Sequence, residues 1–142
     1  MNFATVVPDA YHVMSQLERY GRKTVEPGLL HLIKTRASMV NGCAFCADMH
    51  TTEALQDGEH QRRLFAVAAW RESTLFDARE RAAFALTDAL TRLGDDGVPD
   101  DVWAAVRAHW SEEEAANLVL AIGIINVWNR ISVASRRATP PL

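Results

Sequence analysis

The stretch of sequence that decides the fold is residues 27–56, PGLLHLIKTRASMVNGCAFCADMHTTEALQ. Pro27 stands at a favourable first position for a helix, and apolar residues then recur at helical spacing up to Val40. Asn41 and Gly42 supply a helix ending. Good or neutral helix formers follow to the end of the stretch. The stretch therefore predicts two consecutive helices joined by a tight turn.

The rest of the chain carries similar helix signals. Five further helices are predicted, over residues 8–21, 59–70, 77–93, 100–110 and 111–131. Asp77 is a candidate cap, and Ser111 followed three residues later by Glu114 is typical of a capping box. Seven Gly, five Pro and twenty-two Ala favour helices over tight turns. We expect an all-α bundle of about seven helices in a single domain, residues 1–142.

Composition and charge argue against several classes of protein. The 142 residues are 49% hydrophobic and 23% charged, as in folded soluble domains, which argues against a disordered chain. The net charge of −3 leaves no basic surplus for a phosphate backbone, so we expect no nucleic-acid partner. The longest uncharged stretch, residues 115–129, is shorter than the about 20 apolar residues of a membrane span. We expect a buried helix there and no membrane partner.

Two features bear on location and assembly. Residues 1–13 lack the basic flank, apolar run and cleavage pattern of a signal peptide, so we expect a cytoplasmic protein. The last predicted helix is apolar on more than one side, which indicates burial nearly all round. In so small a domain another subunit can supply part of that burial, so we predict a homo-oligomer. The alternative is a central helix in a monomeric bundle.

Cys43 and Cys46 begin the second helix of the opening stretch. In the cytoplasm such a pair is more often catalytic, redox-sensing or metal-binding than structural. The free amides and the dipole at a helix start stabilise a thiolate, and a C-x-x-C pair can exchange between dithiol and disulfide. By this argument alone, Cys43 has the lower thiol pKa because it lies nearer the helix start.

His50 lies four residues after Cys46 and seven after Cys43, so a helix places all three on about the same face. An imidazole near a thiol can accept its proton, and the thiolate is the form that attacks peroxides or disulfides. Glu53, three residues further on, is spaced to hold the other imidazole nitrogen. We predict a catalytic site of Cys43, Cys46 and His50 that needs no cofactor and no metal.

Zinc binding is the main alternative from the residues alone. His31, Cys43, Cys46 and His50 supply the ligand types of a Cys2His2 zinc site. Their order and spacing do not match the usual C-x2-C followed by H-x3-5-H. A zinc-binding protein, or a dithiol redox sensor without turnover, stays open as the alternative to an enzyme.

The motif also resembles a known family. Residues 41–50, NGCAFCADMH, with Arg36 before them and Thr51 after them, closely resemble the core motif of the alkylhydroperoxidase AhpD-like group in the carboxymuconolactone decarboxylase family. Stretches within residues 69–81 and 125–130 are similar to later landmarks of small single-domain members. The resemblance implies an all-helical fold, oligomers such as trimers or hexamers, and thiol-dependent reduction of hydroperoxides.

The resemblance also implies a role for each site residue. Cys46, deprotonated through His50, attacks the peroxide, and the resulting sulfenic acid condenses with Cys43. An external dithiol or protein reductant then reopens the disulfide. This order opposes the helix-dipole argument, and we follow the family pattern because His50 is a direct base for Cys46.

Two positions depart from the family pattern. Better-studied members carry a glutamate twelve residues before the first cysteine, where this chain has His31, and a histidine just before the second cysteine, where it has Phe45. Glu53 or Glu26 would have to supply the carboxylate of the proton relay, and His31 is either a second base or a core histidine. A lactone decarboxylase is the alternative enzyme, but decarboxylase members do not rely on this cysteine pair.

Overall fold

The computed structural model describes residues 1–141. This part of the chain forms eight α-helices: α1 (Phe3–Val6), α2 (Pro8–Thr24), α3 (Pro27–Asn41), α4 (Ala44–Gln56), α5 (Gln61–Ala66), α6 (Ala78–Thr91), α7 (Asp100–His109) and α8 (Glu112–Ala134). A 3-10 helix, Val67–Ala69, follows α5, and no β-strand forms within the described residues. The all-α prediction is confirmed.

Several helix ends lie where the sequence places a cap or a glycine. Asp77 starts α6 in a capping box with Glu80. Ser111 starts α8 in the same way with Glu114. At the end of α3, Gly42 takes a φ of 66°, a left-handed conformation that favours glycine. The predicted turn between α3 and α4 is therefore confirmed.

Three boundaries differ from the predicted ones. The single turn α1, capped by the Asn2 side chain, is not among the predicted helices. The second difference is in α2, which continues through Gly21 to Thr24 because this glycine is buried in the helix packed against Ile124 of α8. The helix predicted over residues 59–70 divides into α5 and the 3-10 helix.

Helix α3 lies at the centre of the packing. It contacts α4, α6 and α8, and its Leu32 and Ile33 are fully buried. One apolar cluster joins α3 to α6, α7 and α8. A second surrounds Phe84 of α6, whose ring stacks on Trp70 and meets Phe76 edge-on. Through these contacts α3 holds α4, and with it the cysteine pair, against the body of the protein.

A chain of buried amides fixes the end of α3 to α8. The Asn41 side chain donates to Asn126 Oδ1 at 3.0 Å and to Asn129 Oδ1 at 2.9 Å. Asn129 in turn donates to Ser38 Oγ at 3.0 Å. Buried polar groups are stable only when they are hydrogen-bonded, and here each bond joins the two helices. The network therefore holds the turn that leads into Cys43.

Helix α8 is long and apolar enough to cross a membrane by length and composition alone. The core helices of soluble proteins have the same composition, and 44% of the most apolar 18 residues of α8 are buried inside the protein. The prediction that this helix is buried on nearly every side is met only in part, because Val127 and Val133 are 41% and 52% exposed. The homo-oligomer stays a prediction.

Candidate active site

The turn between α3 and α4 places both cysteines at the start of α4. The backbone N–H of Cys43 donates to the Ser38 carbonyl at 2.9 Å. Cys43 is also the N-cap of α4, because its Sγ accepts the backbone N–H of Cys46 at 3.4 Å. Both cysteines are buried, with 3% and 2% of their surface exposed.

The two thiols are free and in contact. The Sγ atoms of Cys43 and Cys46 are in direct contact, with the Cys43 thiol directed at Cys46 Sγ. Burial and the hydrogen bond to Cys46 raise the pKa of Cys43 from 9.0 to about 11. The pKa of Cys43 is therefore raised although Cys43 lies at the helix start, because desolvation outweighs the helix dipole there. The Cys43 thiol is protonated at neutral pH.

His50 lies one helical turn after Cys46 and is only 2% exposed. Burial lowers its pKa, so the imidazole is neutral at physiological pH. Its Nδ1 lies 3.4 Å from Glu53 Oε2, without a well-directed hydrogen bond. This contact, reinforced by the Arg22 guanidinium, lowers the pKa of Glu53 to about 2. The pair joins a neutral base to an ionised carboxylate.

His31 reaches the same place from α3 and is 5% exposed. Its Nε2 lies 2.8 Å from Asp57 Oδ2, and its Nδ1 lies 4.0 Å from Glu53 Oε2. One ligand atom from each of His31, His50 and Glu53 lies within 4.8 Å of the others. His31 is therefore a buried histidine held between two carboxylates, and its role as a second base stays a prediction.

Glu18 and Lys34 belong to the site, and sequence reasoning missed both. The ammonium of Lys34 is 3% exposed and pairs with Glu18, which Arg22 also contacts at 2.9 Å. Glu18 Oε2 is buried and has no hydrogen-bond partner among the described residues. A lysine inside the apolar run of α3 is the one sequence signal for this cluster. Its partner lies on another helix, at a spacing that no motif reveals.

The side chain of Glu26 is held in a structural contact at the start of α3. Its side chain accepts two backbone hydrogen bonds, at 2.9 and 2.7 Å, at the start of α3. It is the N-cap of that helix, a structural role that satisfies amides otherwise left without partners. Of the two candidate carboxylates, only Glu53 lies beside His50.

A cavity of about 170 Å³ opens onto Cys46 and His50. Its apolar lining comes from α2, α4 and α8 and consists of Tyr11, Phe45, Met49 and Trp128. The Tyr11 and Trp128 rings meet edge-on at 5.3 Å, and the Arg137 guanidinium lies 3.9 Å from the centre of the Phe45 ring. Phe45 therefore forms a wall of the cavity, at the position where the family pattern has a histidine.

Comparison with known proteins shows the family of the chain. The model of the carboxymuconolactone decarboxylase family matches residues 8–89, which include both cysteines, His50 and Glu53. The chain belongs to the carboxymuconolactone decarboxylase family. A crystal structure from Agrobacterium tumefaciens has a TM-score of 0.96 and 41% identity, covering 100% of this chain and 98% of that one. That protein is of unknown function and is provisionally assigned as the antioxidant defence protein AhpD, so this family member is AhpD-like.

Other relatives of this family member are similar over most of their length. The uncharacterized protein YdfG of Bacillus subtilis is 38% identical over 135 residues, 94% of this chain and 92% of the relative. YnjA of Escherichia coli, also uncharacterized, is 27% identical over 132 residues, 90% of this chain and 71% of the relative. The debrominase Bmp8 shares the fold, with a TM-score of 0.83 and 20% identity over 94% of this chain and 72% of that one.

The stability of this carboxymuconolactone decarboxylase family protein is expected to fall as the pH drops from about 4.5 to about 2. The pKa of Glu53 is 4.5 ordinarily and about 2 in the folded protein, so the unfolded chain takes up the proton first. Its contribution is complete above pH 4.5 and is lost as the pH falls through the folded pKa. The pKa of His50 is also lowered in the folded protein, so the unfolded chain takes up this proton first as well. The resulting loss of stability begins as the pH falls below 6.5.

Urea unfolding between pH 7 and pH 2.5 measures this dependence. Below pH 4.5, the free energy of unfolding is expected to depend less on pH in Glu53→Gln than in the wild type. Glu113→Gln, a change at an exposed position, is expected to keep the wild-type dependence. An unchanged slope in Glu53→Gln would show that this carboxylate does not gain stability from the site.

Proposed function

We propose that the protein is a thiol-dependent hydroperoxide reductase, an antioxidant oxidoreductase with peroxide as acceptor. Cys46 is the attacking thiol, Cys43 the resolving thiol and His50 the base. The observation that carries the proposal is the direct contact of the two cysteine sulfurs in a buried site that also holds a neutral imidazole. Membership of the family and the likeness to the AhpD-assigned protein support it.

The first step is the attack on the peroxide. His50 accepts the proton of the Cys46 thiol, and the thiolate attacks the outer oxygen of the hydroperoxide. The O–O bond breaks, Cys46 is oxidised to the sulfenic acid, and the alkoxide leaves as the alcohol with the proton from the imidazolium. The ionised Glu53 carboxylate stabilises the transient positive charge on His50.

The second step closes the disulfide. The Cys43 thiol lies against Cys46 and attacks the sulfenic sulfur, so that the disulfide forms and water leaves. The raised pKa of Cys43 suits this role, because a protonated thiol does not compete for the peroxide. A dithiol or protein reductant then supplies two electrons and two protons and restores both thiols.

The cavity has room for the organic group of a small substrate. An apolar cavity of about 150 Å³ is known to hold one benzene molecule, so a cavity of about 170 Å³ suits a small organic hydroperoxide. The aromatic rings of Tyr11, Phe45 and Trp128 receive the organic group, while Cys46 and His50 face the peroxide oxygens.

The domain, the cellular location and the assembly of the protein are part of the proposal. We place the site in one helical domain, residues 1–142, of a cytoplasmic homo-oligomer. The exposed apolar residues Val13 of α2 and Val127 of α8, at 61% and 41%, are candidates for burial between subunits.

Turnover of an organic hydroperoxide tests the proposed function. With cumene hydroperoxide and excess dithiothreitol, the reduced protein is expected to consume many equivalents of peroxide per chain. Without reductant it consumes about one equivalent and forms the Cys43–Cys46 disulfide, detected by mass spectrometry as the loss of two hydrogens. One equivalent with no turnover, despite excess reductant, would favour the redox-sensor alternative, and no peroxide loss would contradict both.

A further inference from the structure

A second chemical capacity lies in the cluster of His31, His50 and Glu53. We propose that this cluster is a Zn²⁺ site whose ligands do not include the cysteine pair. Occupation of the site switches off His50 as a base, and this consequence rests on the proposed function. The Zn²⁺ binding itself does not.

The ligand set and its spacing suit zinc. Two imidazole nitrogens and one carboxylate oxygen lie within 4.8 Å of one another, with Glu53 Oε2 at 3.4 Å from His50 Nδ1 and 4.0 Å from His31 Nδ1. Zinc bonds of about 2.0–2.1 Å in a tetrahedron hold neighbouring ligand atoms roughly 3.3 Å apart. Small rotations of the side chains bring the three atoms to that spacing, and water takes the fourth position.

An unsatisfied atom points to a ligand at this place. The Nδ1 of His50 is buried and has no hydrogen-bond partner within residues 1–141, although nearly all buried polar atoms in proteins have one. The residue is 2% exposed, so bulk water does not compensate for the missing bond. A cation bound between the histidines and Glu53 satisfies this atom.

Asp57 orients the His31 ring so that its Nδ1 can bind the metal ion. The contact of 2.8 Å between its carboxylate and His31 Nε2 places the ring proton on Nε2. In the neutral ring the lone pair of Nδ1 is then directed at Glu53 Oε2, where two acceptors face each other at 4.0 Å. Carboxylates hold zinc-binding histidines in this way in known metal sites.

The Arg22 guanidinium competes with a metal ion for the Glu53 carboxylate. Glu53 is the carboxylate ligand of the cluster, within 4.0 Å of both histidines. Arg22 holds this carboxylate at 3.2 Å, but its side chain is 45% exposed and is free to turn towards solvent. The other nearby cation, Lys34, is paired with Glu18. Removal of the Arg22 charge is therefore expected to tighten metal binding.

Occupation changes which nitrogen of His50 is protonated. Zinc binds the lone pair of Nδ1, so the proton of the neutral ring resides on Nε2. The imidazole then has no lone pair left to accept the Cys46 proton. The thiol stays protonated, and peroxide reduction slows.

Calorimetric titration with Zn²⁺ tests the site. The Cys43→Ser/Cys46→Ser protein, which has no thiol ligands, is expected to bind one Zn²⁺ per chain. His31→Gln or Glu53→Gln in that background removes this binding. Asp57→Asn, a change at an exposed position, weakens it about 10–100-fold. Arg22→Gln tightens it, and His109→Gln, an exposed histidine elsewhere, leaves it unchanged.

Circular dichroism establishes whether each variant is folded. If His31→Gln and Glu53→Gln unfold the protein, the zinc affinity of Asp57→Asn decides the matter. Equal zinc affinity in the parent and in the folded cluster variants would overturn the proposal. So would zinc binding that is found in the wild type and lost in the Cys43→Ser/Cys46→Ser protein. Zinc binding with no peroxidase activity would refute the proposed function and leave the metal site standing.

Discussion

Replacement of Cys46 by serine is expected to abolish dithiol-dependent peroxide turnover, with a loss on the order of 10³-fold or more, because the attacking nucleophile is gone. A serine hydroxyl is not ionised at neutral pH, and Cys43 is the one other side chain lining the site that carries a thiol. The high pKa of Cys43, about 11, keeps that thiol from substituting. Stopped-flow measurement of peroxide loss under excess reductant checks the effect.

Cys43→Ser is the matched control for this change. It removes the resolving thiol and leaves the attacking one, so a first equivalent of peroxide is consumed at close to the wild-type rate and turnover with the dithiol then slows or stops. The reverse pattern, with the burst kept in Cys46→Ser and lost in Cys43→Ser, would assign the attack to Cys43.

His50→Gln is expected to lower the rate of peroxide reduction at neutral pH by about 10²–10⁴-fold, the usual contribution of a general base. Glutamine keeps much of the side-chain volume of His50 but cannot accept the thiol proton. At alkaline pH the thiolate forms without a base, so the difference from wild type is expected to narrow as the pH rises. The rate constant of the burst phase, followed from pH 6 to pH 10, is the measurement.

Two further histidine variants serve as controls for His50→Gln. His109→Gln, at an exposed position, is expected to have no effect. His31→Gln is expected to have a smaller effect than His50→Gln, because His31 reaches the base only through Glu53. A constant rate difference across the pH range would contradict the role of His50 as the base.

The fold was largely predictable because its signals are local. The capping boxes at Asp77 and Ser111 and the glycine at position 42 each act within one turn of chain, so sequence spacing reveals them. The predicted end of α2 at Gly21 was wrong because of tertiary packing. Contact between α2 and α8 keeps the helix intact through this glycine, a residue type that often ends helices. The short α1 depends on one cap and little else.

The site was predictable only where it lies on a single helix. Cys46, His50 and Glu53 share α4, and their spacing alone brings them together. Glu18 and Lys34 come from different helices, and only the packing of α2 near α3 pairs them. The raised pKa of Cys43 was not predictable, because burial, which the sequence does not report, opposes the helix dipole.

Chemical trapping of the sulfenic acid is the most direct test of attack by Cys46. Cys43→Ser protein is treated with one equivalent of cumene hydroperoxide in the presence of dimedone, and the labelled peptide is identified by mass spectrometry. The proposed mechanism predicts a dimedone adduct on Cys46 in Cys43→Ser and no adduct in Cys46→Ser. An adduct found only on Cys43, in the Cys46→Ser protein, would contradict it.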